Sequence, residues 1–144
     1  MDHVAIMKKS WGLTRKILTG EKKIESRWYQ SRRAPWDRIK AGDNLYFKDS
    51  GDPVMIKAEV GRVLQFSDLT PSRVKEILSI YGKDDGISKE HVQDFFERFR
   101  DKKYCILVFL KNPRSIKPFQ INKAGFGAMS AWITVATLAV PKGV

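Results

Sequence analysis

The chain has 144 residues, 42% of them hydrophobic, which is enough for one domain with its own core and no disulfide or metal support. A formal net charge of +11 and a pI near 9.9 point to a polyanionic partner, or else to a solvated basic surface. No apolar run is long enough to span a bilayer, and the start Met1-Asp2-His3-Val4-Ala5 lacks the layout of a signal peptide, so the reading is cytoplasmic, with no membrane.

In chain order, His3–Met7 reads as a first strand and Trp11–Thr19 as a helix stopped by Gly20. Lys22–Tyr29 suits a strand in which Glu25 and Arg27 share one face and Ile24, Ser26 and Trp28 the other. Lys22 joins Glu25 only if the Gly20–Lys22 turn redirects it. A basic loop with Arg32 and Arg33 follows, then one helical turn from Pro35-Trp36 to Ile39, and a strand at Asn44–Lys48. The turn-forming run Asp49-Ser50-Gly51-Asp52-Pro53 leads into a long strand, Val54–Leu64. Thr70 with Pro71 predicts a capped helix ending at Tyr81-Gly82, and Ser88 caps a second helix to Arg100. Val92, Phe95, Phe96 and Phe99 form the apolar stripe of that helix and read as core. Strands are expected at Lys103–Lys111, Ile116–Ile121 and Trp132–Val140, with a loop or short helix over Asn122–Met129. The fold class is α+β, a mostly antiparallel, barrel-like sheet with helices at one side. No repeat or linker divides the chain, so residues 1–144 read as one domain.

Charge is uneven. Residues 1–40 hold eleven Lys/Arg against four Asp/Glu, and 102–144 hold seven basic residues and no acidic one, whereas 67–101 are slightly acidic. If the two chain ends meet, they form one basic face.

The densest chemical signal is Gly20-Glu21-Lys22-Lys23-Ile24-Glu25-Ser26-Arg27, read as G-x-K-x-x-E-x-R. It sets an ammonium, a carboxylate and a guanidinium within eight residues, each offering a different hydrogen-bonding partner to one small ligand. The alternative is an ion-pair cluster that pins a helix to the sheet. Around the motif Trp28, Tyr29 and Trp36 alternate with Arg27, Arg32, Arg33 and Arg38. Aromatic faces stack on unpaired bases and guanidiniums take phosphates, which suits a single-stranded nucleic acid or a nucleotide. Trp28 reads as a core anchor. Two weaker patches are Lys48 with the Ser50-Gly51 turn, equally readable as a plain β-turn, and Lys123 with Phe126 and Trp132, which either wall a base pocket or plug the barrel.

The G-x-K-x-x-E-x-R pattern, followed by Trp36…Gly42-Asp43, resembles the ASCH family (activating-signal-cointegrator homology), over roughly Val4 to Leu64 and more loosely in the final strands. The resemblance implies a PUA-like barrel, with the helical pair at 70–100 as an addition to it. It also implies an RNA- or nucleotide-contacting cleft at this corner, with Lys22, Glu25 and Arg27 inheriting that role. Some relatives are amidohydrolases of a modified cytidine nucleoside that use a lysine, a threonine and a glutamate. Lys22 matches the lysine, but the threonine position falls on Glu25, so that mechanism does not transfer intact. Another relative is described as a ribonuclease; in that case Lys22 is acid or phosphate clamp, Glu25 base and Arg27 anion stabiliser. On the binding reading Lys22→Ala weakens the ligand and leaves folding nearly unchanged. A third reading is a protein–protein adaptor that uses the 70–100 helical pair.

Cys105 sits in an apolar run and reads as a buried thiol. His3 and His91 read as ordinary surface positions. One cysteine, two distant histidines and no carboxylate signature give no metal site and no cofactor.

Overall fold

The structure is a computed structural model and describes residues 1–123, 125–126 and 130–141. Six strands form one curled sheet: β1 (Asp2–Met7), β2 (Ile24–Tyr29), β3 (Asn44–Asp49), β4 (Val54–Phe66), β5 (Tyr104–Phe119) and β6 (Trp132–Val135). Their order across the sheet is β2-β5-β4-β3-β1-β6. Every pairing is antiparallel except β1 with β3. The helices are α1 (Leu13–Thr19), α2 (Pro71–Tyr81) and α3 (Val92–Phe99). This is an α+β half-barrel with β2 and β6 as its two edges, in accord with the fold class expected from the sequence.

The ends of the chain do meet, because β1 pairs with β6 in the register Asp2↔Val135 to Ala5↔Trp132. The slightly acidic segment runs from the end of β4 to the start of β5. These strands are hydrogen-bonded neighbours, so α2 and α3 are an excursion from one long hairpin. Thr70 caps α2 by accepting from the Arg73 backbone N–H, with Pro71 at the first helical position.

Several boundaries differ from expectation for local reasons. A short 3-10 turn over Lys9–Trp11 precedes α1, because Gly12 adopts a left-handed conformation (φ 64°) that breaks the helix there. The two strands expected at 103–111 and 116–121 are one sixteen-residue strand, β5. Asn112 (φ 51°) makes a bulge rather than a break, and β4 keeps pairing on either side through Glu59↔Lys111 and Lys57↔Arg114. Ser88 leads into a 3-10 turn, so α3 begins only at Val92. β6 stops at Val135, and the expected loop over 122–129 lies partly outside the described residues.

Three apolar clusters divide the interior. One contains Phe47, Leu45, Ile106 and Val108 together with Ile17 of α1. A second joins β2 and β5 to the helices through Ile24, Trp28, Leu107, Val74 and Ile77, with the stripe Phe95, Phe96 and Phe99 against it. Val4, Tyr46, Val54, Phe119 and Ile133 form the third. Cys105 is buried, and burial pushes its thiol well above the ordinary value.

His3 is not a surface residue. It is fully buried, with Nε2 2.9 Å from Asp43 Oδ2 and Nδ1 accepting from the Trp132 indole N–H at 3.2 Å. Because β1 is flanked by β3 and β6, even its first residues are interior.

Candidate nucleic-acid interface

The motif is built by its turn. Gly20 takes a left-handed conformation (φ 84°) and donates its N–H to Ile17 O, ending α1. The Lys22 N–H then bonds back to Lys16 O, and Lys23 and Ile24 both donate to Asp84 O. The chain thus enters β2 with Lys22 redirected toward Glu25, as the pairing of these two residues requires.

Lys22 is 2% exposed and Glu25 3%. Lys22 Nζ lies 3.2 Å from Glu25 Oε1, 2.7 Å from Asp85 Oδ1 and 2.6 Å from Asp85 O. The other Asp85 oxygen accepts from Ser26 Oγ at 2.5 Å, and Ser26 Oγ in turn accepts from Trp28 Nε1 at 3.0 Å. Glu25 Oε2 accepts from Arg27 at 2.9 Å. Asp85 comes from the link between α2 and α3. Since β2 is an edge strand, Asp85 can reach both Lys22, in the turn before it, and Ser26 within it, one with each oxygen.

Burial alone pushes the Lys22 ammonium down, yet the Asp85 and Glu25 carboxylates outweigh it and hold its pKa above the ordinary lysine value. Burial pushes the Glu25 carboxyl up, but Lys22 and Arg27 bring it below the ordinary value. Asp85 goes the other way: burial and the charge of Glu25 together exceed the help from Lys22 and Ser26, so its pKa is raised. Two carboxylates on one lysine are therefore held in unlike states of protonation readiness.

Arg27 spans the open side of the half-barrel. It donates to Ala131 O, just before β6, at 3.1 Å and to Ile6 O of β1 at 3.4 Å, and lies 5.1 Å from the Trp132 ring centroid. Next to this network lies a cavity of about 280 Å³ that includes Lys22, Glu25, Arg27, Tyr29 and Asp85 in its lining. Its apolar walls are Trp11, Trp28, Phe95 and Phe99. Trp28 is both anchor and wall: 7% exposed, it stacks on Phe99 with centroids 4.8 Å apart and planes 7° apart.

Tyr29 continues into a neighbouring depression of about 210 Å³ that also includes Arg33, Ala131 and Trp132. Arg33 sits 5.9 Å from the Tyr29 ring. Beyond it Arg32 lies 5.7 Å from the ring of Trp36 and 5.8 Å from that of Tyr104. Lys22, Glu25, Arg27, Tyr29, Arg33 and Trp132 are thus brought together, whereas Arg32 and Trp36 lie near each other and line neither cavity. Lys48, Ser50, Lys123 and Phe126 line neither cavity. Lys48 is buried in β3, and Ser50 donates its backbone N–H to Met7 O in an ordinary turn.

Sequence reasoning missed Asp85, Ser26, Trp11 and the place of Phe95 and Phe99 in the cavity lining. A buried lysine demands a carboxylate, and the Asp84-Asp85-Gly86 turn was a place to look for one. Among the described residues no group of three or more His, Cys, Asp or Glu is arranged to hold a metal, and no helix is long and apolar enough to cross a membrane.

The sequence matches no protein-family model and no curated protein. Its fold does match solved structures. ASCH from Zymomonas mobilis superposes with a TM-score of 0.65 at 18% identity, covering 93% of this chain and 87% of that one. The fold is that of an ASCH domain. A point variant of the same Zymomonas protein gives a TM-score of 0.66 at 18% identity, with 93% and 89% coverage. The N-terminal domain of Staphylothermus marinus McrB gives 0.50 at 17% identity, with 83% and 76% coverage. The alignments with Zymomonas ASCH span most of both chains, so the agreement extends over the whole ASCH architecture rather than the motif corner alone.

Proposed function

We propose that this ASCH-type domain binds single-stranded RNA and receives one unpaired base in the cavity beside Lys22, Glu25 and Asp85. The observation that carries the reading is the joining of an apolar, aromatic-walled cavity to polar groups fixed at its edge and to a rim of exposed arginines. A base needs flat apolar walls, which Trp28 and Phe99 offer, and a few hydrogen-bonding groups that do not move, which the ion-paired cluster supplies. The flanking phosphates would meet Arg33 and Arg32, with Tyr29 and Trp36 as stacking faces. The basic balance of both chain ends, which meet at β1 and β6, supports a polyanionic partner.

The test is fluorescence anisotropy of labelled single-stranded RNA over a series of salt concentrations. Affinity should fall steeply with salt, and Arg33→Ala or Arg32→Ala should each lower the salt slope by about one phosphate's worth while weakening all sequences alike. Salt-independent binding, or an equal preference for duplex, would overturn the reading.

A second reading, hydrolysis of RNA or of a modified nucleoside at the same place, is favoured by the meeting of two carboxylates, Glu25 and Asp85, on one lysine beside the cavity. Such a pair can divide into a proton acceptor and a donor, with Lys22 holding the developing anion. Mass spectrometry of an RNA and nucleoside pool, with the wild type and with Asp85→Asn, distinguishes turnover from binding. A protein–protein role for the helical pair has less support, since the aromatic stripe of α3 packs against the second core cluster and, at Phe95 and Phe99, lines the cavity.

A further inference from the structure

The base cavity has a neighbour that the reading above does not use. A second cavity of about 380 Å³ lies on the other side of a ridge made by Trp11, Leu13, Ile87 and Phe95, residues common to both. Its chemistry differs from that of the first. Lys16, Arg98, His91, Ser88 and Asp94 contribute to its lining. Arg98 lies over the outer face of Trp11, 4.8 Å from the ring centroid, and makes no ion pair among the described residues. Lys16 spends one N–H on Gly86 O at 2.8 Å and keeps two donors. The His91 Nδ1 and Ser88 Oγ lie 2.6 Å apart, which fixes the imidazole. One carboxylate, Asp94, faces two permanent cations.

We infer that this second cavity is a phosphate-monoester subsite: it takes the terminal phosphate of a nucleotide or RNA end whose base fills the first cavity. The inference rests on the base-pocket reading and adds to it a preference for phosphorylated ends. Three features carry it. The two cavities share the ridge Trp11, Leu13, Ile87 and Phe95, so a ligand lying across it would place its base on one side and its phosphate on the other. The first cavity's lining is mostly apolar and its Lys22 and Arg27 are spent on Asp85 and Glu25, whereas Lys16 and Arg98 of the second make no ion pair among the described residues, which suits the division of a nucleotide into base and phosphate. Arg98 is also pre-positioned by its stacking on Trp11, so little side-chain freedom is lost when it meets a dianion. A guanidinium and an ammonium converging on one phosphate make charge-assisted hydrogen bonds, about twice as strong as neutral ones.

The experiment is titration calorimetry at low salt with the four ribonucleosides, their 5′- and 3′-monophosphates, and inorganic phosphate. For the preferred base, one monophosphate should bind roughly tenfold or more tightly than its nucleoside. Arg98→Ala should reduce that ratio to near one and leave the nucleoside affinity unchanged. Asp94→Asn, which removes the only opposing charge, should raise the ratio, a gain that a damaged fold would not produce. Equal affinities of nucleoside and monophosphate in the wild type, or a ratio that survives in both Arg98→Ala and Lys16→Gln, would overturn the subsite and leave the base pocket standing. If no nucleoside and no monophosphate bind, both readings fall together. Binding of inorganic phosphate alone would also refute the inference, since it would detach the anion site from the base.

Discussion

Replacing Lys22 by alanine removes the one cation buried between Asp85 and Glu25. Three acceptors then lose their donor: Asp85 O at 2.6 Å, Asp85 Oδ1 at 2.7 Å and Glu25 Oε1 at 3.2 Å. Each sits on a residue no more than 5% exposed, so water cannot simply replace the ammonium. An orphaned buried acceptor costs about 1–3 kcal/mol, and breaking a buried ion pair by removing one partner costs about 3–5 kcal/mol in all. Arg27 still holds Glu25, which places the loss mainly on Asp85. We therefore expect Lys22→Ala to lower unfolding stability by about 3–5 kcal/mol. This revises the expectation drawn from sequence, in which the substitution spares the fold. The double variant Lys22→Met with Asp85→Asn replaces the charges by neutral groups of similar size and should recover at least about 1 kcal/mol relative to Lys22→Met alone. Urea denaturation at pH 7 measures these three variants and Asp85→Asn alone, with an unchanged m-value as the check that the unfolded states are comparable. A cost below about 1 kcal/mol for Lys22→Ala, or strict additivity in the double variant, would refute the buried-cluster argument.

Two further predictions concern other parts of the network. Burial holds His3 neutral against the pull of Asp43, so its pKa lies below the ordinary 6.5. The unfolded chain then binds the extra proton first, and stability should be full above pH 6.5 and fall as pH drops below it. Trp132, whose indole N–H donates to His3 Nδ1, should report this in its fluorescence, and His3→Gln should flatten the pH dependence between 6.5 and 5; a wild-type profile already flat there would contradict the neutral, buried assignment. Gly86 has φ 82°, and a Cβ there would come 3.2–3.3 Å from the Lys22 side-chain carbons. Gly86→Ala should therefore cost about 1–3 kcal/mol, from the left-handed backbone and from displacement of Lys22, and thermal unfolding within about a degree of the wild type would disprove it.

Much of this molecule is local and therefore legible along the chain. Gly20 ends α1 because only glycine takes φ 84° without strain, and Thr70-Pro71 opens α2 by the same short-range logic. The turn at 49–53 and the aromatic stripe of α3 followed from residue chemistry and spacing alone, and so did the pairing of Glu25 with Arg27 on one face of β2. What the sequence could not decide is what meets across long separations. Whether Asn112-Pro113 ends a strand or bulges depends on β4 pairing past it, which no window around residue 112 contains. His3 looks like a surface residue until β3 and β6, forty and more residues away, flank β1 and seal it in. Asp85 is marked locally only as an acidic residue in a glycine-ended turn: it belongs to the site because the α2–α3 link passes the free edge of β2, sixty-three residues from Lys22. Local conformational preference acts within a few residues and is written in the chain, whereas burial, and with it the charge state of every buried group, is set by which distant segments exclude water together.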